Sequence, residues 1–168
     1  KKQSPLMHQA PFLSVNKGRG FGVVEIVIGS ALISVALIGL IGVFQSSLLA
    51  SREAGRKLTA TFLAEEGMEA ARLMRDRSWV NISGLSTTTT YYLTFTGGTW
   101  ATTTVSSKMF GTYYRTVRVS DVYRNGSQDI ASSGVWDSRT KKITTDVAWL
   151  KRGATTTVSL SSYLADIF

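Results

Sequence analysis

The sequence predicts an α+β fold: a long N-terminal helix, half membrane-embedded and half soluble, packed on a C-terminal antiparallel β-sheet. Three observations predict it. Phe21 to Phe44 is an apolar run with one charged residue. The stretch from Gln45 to Trp79 has no proline and repeats small and apolar residues at helical spacing. From residue 85 onward threonine, valine, tyrosine and tryptophan recur in short alternating runs between glycine-containing turns.

The apolar run comes first. A helix of those 24 residues spans roughly 36 Å, more than the roughly 30 Å of a bilayer core, and reads as a membrane helix. A secretory signal peptide is the rival reading, with conventional cleavage near Ala50. Its apolar core is usually about 7 to 15 residues, against 19 uncharged residues from Ile26 to Phe44. Lys1, Lys2, Lys17 and Arg19 precede the run, which favours a cytoplasmic N-terminus and an extracytoplasmic remainder, although Arg52, Arg56 and Lys57 beyond it weaken that bias.

Glu25 interrupts the run near its start. A carboxylate in a membrane helix costs a few kcal/mol near the centre and less near the interface, and it usually marks a partner or a function. In an intact chain Glu25 can reach back toward Lys17 or Arg19. If the chain is cut after Gly20, Phe21 gains an α-amine four residues from Glu25, and the amine of one helix can meet the carboxylate of its neighbour. Such pairing sets helix register.

Beyond the run the helix is expected to continue over residues 45–80. Leu63, Gly67, Ala71 and Met74 mark one face, with Ala60 and Ala64 beside it. Glu65, Glu66 and Glu69 precede Arg72, Arg75 and Arg77, the order a helix dipole favours, and Glu69 with Arg72 forms an i, i+3 pair. A turn-like stretch, Asn81 to Gly84, ends it. Residues 85–168 then read as an antiparallel sheet of four to six strands. Residues 90–96 and 99–105 flank Gly97-Gly98 as a hairpin, and residues 114–123 alternate Val117 and Val119 against Thr116 and Arg118. Residues 142–150 place Ile143, Thr145, Val147 and Trp149 on one face, and residues 155–160 return after Lys151-Arg152-Gly153. The soluble half of the helix is the expected cover for the apolar side of this sheet.

Composition narrows the function. The chain has no cysteine, which excludes disulfides, a thiolate nucleophile and cysteine-based metal sites. Its one histidine, His8, lies upstream of the apolar run, so no His-containing triad or zinc spacing follows Gly20, and no catalytic residue, cofactor or metal is expected. Asp121, Asp129, Asp137 and Asp146 lack the alternating spacing of a calcium loop and are expected at the surface. The net charge of +8 includes four N-terminal bases; the fifteen bases beyond Gly20 against eleven acids leave +4, an ordinary solubilising excess. A single-stranded nucleic-acid platform of Tyr91, Tyr92, Trp100, Tyr113, Tyr114, Trp136 and Trp149 beside Arg115 and Arg118 is therefore unsupported, and these aromatics are expected to pack in the core and across strands. Asn81-Ile82-Ser83 and Asn125-Gly126-Ser127 match the N-glycosylation triplet, a short pattern that recurs by chance.

Gly20, Phe21, the glutamate at Glu25 and the long apolar helix, preceded by Lys17 and Arg19, closely resemble the leader of type IV pilins and type II secretion pseudopilins. The resemblance covers some 30 residues. It implies a leader of residues 1–20, removed between Gly20 and Phe21 by a prepilin peptidase that also N-methylates Phe21. It implies an assembly role for Glu25, and packing of residues 21–44 with other pilin-like subunits at an inner-membrane assembly platform, lipid surrounding the helix beforehand. The expected location is the bacterial inner membrane and then an extracytoplasmic filament or the cell surface. Gly22 stands where many members carry Thr, and Gly39 and Gly42 stand where many carry a proline. The leader is long for that family, which leaves Met7 or a point upstream of Lys1 as the start of translation. The second reading, from another class, is a single-pass anchored adhesive or DNA-capturing module that does not polymerise. An anchored hydrolase is the third.

Overall fold

The computed structural model describes Gly20 and residues 22–167 of the 168. Among these, α1 (Val23–Arg77) is one unbroken helix of 55 residues. It is followed by a single helical turn, α2 (Val80–Ser83), and by strands β1 (Tyr92–Thr96), β2 (Thr99–Thr103), β3 (Lys108–Met109), β4 (Tyr113–Arg124), β5 (Ile130–Ala131), β6 (Val135–Lys151) and β7 (Ala154–Ala165). The chain divides into two units, one ending at Leu48 and one beginning at Leu49.

In the first unit, none of the apolar side chains of α1 is buried among the described residues. The length and composition of these turns are those of a helix able to cross a membrane.

In the second unit, α1 buries Ala60, Leu63, Ala64, Gly67, Met68, Ala71 and Met74, the stripe expected from i, i+3 and i, i+4 spacing. Small residues along it bring the backbone close to the sheet. At Gly67 a Cβ would lie 2.6 Å from Thr145 Cγ2 and 3.0 Å from Arg115 Cδ, so glycine is required by proximity there.

The main sheet is five-stranded and antiparallel in the order β3-β4-β6-β7, with β5 on β4. Alternation places Val117 and Val119 of β4 and Ile143, Thr145, Val147 and Trp149 of β6 inward, all of them buried. One core cluster joins Met68, Ala71, Met74 and Ile82 to Val117, Val119, Ile143 and Leu164; a second joins Ala60, Leu63 and Ala64 to Tyr113, Val147 and Trp149. Each large side chain fully buried here contributes about 1.5 to 3 kcal/mol. The C-terminal turns of α1, from Ala60 to Met74, thus cover the apolar side of the sheet, as their pattern predicts. The other face is polar: Arg118 pairs with Asp146, and Thr144 and Ser161 share a hydroxyl hydrogen bond.

Several details differ from the sequence reading. The helix stops at Arg77, and Val80–Ser83 forms a turn of its own, held by the Asn81 amide donating to the Met74 carbonyl at 3.0 Å. The hairpin of β1 and β2 closes over Gly97 and Gly98, with φ of +60° and +76°, as expected of a two-residue turn that needs glycine. It forms a separate two-stranded sheet, joined to β4 through backbone hydrogen bonds between Tyr91 and Val117. Strand β6 begins seven residues before Lys142, because a register shift between Asp121 and Val122 lets the β4–β6 pairing run on to Val135.

Candidate functional site

The sequence directs attention to Gly20, Phe21 and Glu25. Phe21 lies outside the described residues. Gly20 is exposed, with nothing within 4 Å of the place a Cβ would occupy. Glu25 is exposed in the first turn of α1.

The start of that helix has a definite geometry. The Gly22 carbonyl accepts from the Ile26 N–H at 3.2 Å, and the Gly22 N–H donates to Glu25 Oε2 at 3.1 Å. Gly22 is therefore the N-cap and Glu25 the third helical residue, whose carboxylate turns back to satisfy a backbone donor left free by the helix end. A carboxylate here also faces the positive end of the helix dipole. The three-residue spacing was present in the sequence, but a glycine in place of Ser or Thr makes only half of the usual capping pattern.

Downstream, the apolar side chains point outward on every side: Val23 is 77% exposed, Ile38 71% and Phe44 64%. The hydroxyls among them need no outside partner. Ser30 donates to the Val27 carbonyl at 2.9 Å, Ser34 to that of Ser30 at 2.8 Å, and Ser46 to that of Gly42 at 2.9 Å. Such self-satisfaction suits a helix surrounded by hydrocarbon. Gly29, Gly39 and Gly42 have open space where side chains would stand, so another helix could approach closely there.

The remaining candidates resolve into packing. No group of three or more potential metal ligands occurs among the described residues. Asp121 accepts from Lys141 Nζ at 2.5 Å, Asp137 from Arg124 Nε at 2.7 Å, and Asp146 from Arg118. The Lys141 ammonium holds the Asp121 carboxyl below its ordinary 3.8 against the opposing effect of burial. Arg124, and then Thr140 and the Arg139 N–H, hold Asp137 below the same value. Arg115 is buried, its Nη1 donating to the Leu63 carbonyl at 3.1 Å and to Glu66 at 2.7 Å, with the guanidinium 5.5 Å from the Trp100 ring. Tyr113 and Trp149 pack against each other in the core at 6.0 Å, whereas Trp136 stands exposed opposite Tyr123. Asn125 Oδ1 accepts from the Ser127 and Asp129 N–H groups, so that triplet is a side-chain-stabilised turn.

No protein-family model, curated protein or solved structure matches the chain.

Proposed function

We propose that the chain is a prepilin-type structural subunit, cut between Gly20 and Phe21, N-methylated on Phe21 and assembled through residues 21–44 into a type IV pilus or pseudopilus-like filament. The observation that carries this reading is the division of labour within α1. Its first turns expose apolar side chains all round, and its later turns bury one stripe beneath a sheet. A helix apolar on every side needs lipid or sister helices as its surroundings, and filament assembly exchanges the first for the second. The subunit's partners are then a prepilin peptidase, other pilin-like chains and an inner-membrane assembly platform.

Mass spectrometry of the protein from cells that possess the peptidase tests the proposal. The expected N-terminus is Phe21 carrying one added methyl group; an intact leader in those cells overturns it.

A second reading has one observation in its favour. The Gly22 to Glu25 hydrogen bond gives the carboxylate a partner in the uncut chain, which is all that a non-polymerising anchored module needs. The two readings part on the charge of Glu25, since a cap needs only an acceptor and an interhelical pair with an α-amine needs an anion.

A further inference from the structure

Glu25 and Arg52 bracket an uncharged stretch, and the 27 steps of helix between them measure roughly 40 Å. That is the thickness of a bilayer including its headgroups, about 40 to 45 Å. An uncharged helical stretch of that length suffices for one crossing, and Arg52 is the first charged residue after it.

The fold adds to Arg52 what the sequence keeps a hundred residues away. The turn between β6 and β7 comes back to this part of α1, and Arg52, Arg56, Lys57, Lys151 and Arg152 line an open recess of about 580 Å³. Among the described residues that line it, Glu53 is the one acid, bonded to Lys151 Nζ at 3.2 Å. Arg152 occupies the turn with φ of +49°, a conformation that costs a non-glycine residue about 1 to 2 kcal/mol and that Asn or Gly would adopt more readily. Among the described residues the four bases other than Lys151 make no ion pair, and all five are exposed.

We propose that this recess seats the phosphates of anionic phospholipids in the leaflet where α1 leaves the membrane. The inference rests on the membrane-inserted reading above and names a partner for that subunit before assembly. Long, exposed cations suit a crowded layer of headgroups. A soluble anion would call for buried donors and backbone N–H groups.

The full chain, reconstituted into phosphatidylcholine vesicles with and without phosphatidylglycerol, is treated with a membrane-impermeant amine acylating reagent. Labelling of Lys57 and Lys151 is read by mass spectrometry relative to Lys108 and Lys142 of the same domain. Phosphatidylglycerol should lower the labelling ratio about fivefold, the factor set by the attraction of one cation to an anionic surface. R56Q combined with R152Q, both at exposed positions, should remove most of that protection. Equal ratios in the two membranes, or protection unchanged in the double variant, overturn the proposal while co-flotation with both vesicles leaves the insertion reading standing. Equal protection by inorganic phosphate in detergent also overturns it, since the recess is then a site for free anions. A chain that fails to float with phosphatidylcholine vesicles defeats the insertion reading itself, and the lipid seat with it.

Discussion

Glu25 has one partner in the structure, the Gly22 N–H, and under the proposed processing it would have a second, the α-amine created at Phe21. The two roles separate by substitution. E25Q keeps an acceptor at the third helical position and so preserves the cap, whereas E25V removes both acceptor and charge, with a loss of about 1 kcal/mol at the helix start. Both variants should insert into membranes. If the charge pairs with a neighbouring amine, both should enter filaments at least about tenfold less well than the parent, the equivalent of about 1.4 kcal/mol. Parental incorporation of E25Q beside a defect in E25V would reduce Glu25 to a cap, and the measurement is the ratio of filament to membrane pools by immunoblot. The position of Glu25 is legible in the sequence because a lone charge in an apolar run is conspicuous. Its cap is less so, since a glycine hides the pattern. Arg115 shows the opposite case. It shares the inward parity of Val117 and Val119, so its burial follows from alternation alone, but its pairing with Glu66 depends on how α1 crosses the sheet.

At the scale of elements, the crossing of α1 over β4 and β6 is the tightest constraint. G67A places a methyl 2.6 Å from the side chain of Thr145, which is fully buried and cannot withdraw. The overpacking cost of about 1 to 3 kcal/mol should exceed the gain of about 1 kcal/mol in helix propensity. G55A, in the same helix with open space around it, should instead stabilise by about 0.5 to 1 kcal/mol. Thermal unfolding should therefore move in opposite directions for the two variants; a stabilised G67A would show that the helix can lift off the sheet at little cost. The distal ribbon of β4, β5 and β6 is held differently, by Asp121 with Lys141 and Asp137 with Arg124. Both carboxyls sit below their ordinary 3.8, so their contribution is present above that value and is lost as pH falls below it. Amide exchange at Tyr123 and Trp136 should accelerate through that acid window before exchange at Val117 and Ile143; uniform acceleration would mean the pairs do not hold the ribbon. This ribbon is also the part least legible beforehand. Residues 142–150 announce their inward face by strict alternation, whereas β3 and β5 are two residues each and carry no period, and the register shift at Asp121 breaks the alternation that would have extended β6 back to Val135.

At the scale of the molecule, the core is made by residues on one side of Leu49. Every residue in the two core clusters lies between Ala60 and Leu164, and the apolar turns of α1 before Leu48 contribute none. This independence was foreseeable, because an apolar run without a polar face cannot also serve as the amphipathic cover of a sheet. The separate β1–β2 sheet was not, because whether a hairpin joins a larger sheet is decided by long-range pairing, here the short bridge from Tyr91 to Val117. A fragment beginning at Leu49 should therefore fold alone, as a soluble monomer with one cooperative transition. Its enthalpy should be about 80 kcal/mol near 60 °C, at about 0.7 kcal/mol per residue. Calorimetry checks this directly, and the full chain in detergent should show the same transition at a closely similar temperature. A fragment that is compact but unfolds gradually would mean that the preceding helix supports the core after all. The fragment also isolates assembly from folding. If filaments form through residues 21–44, the fragment should neither enter them nor slow their growth when supplied in excess, whereas capture of the fragment by growing filaments would place the assembly surface on the sheet domain.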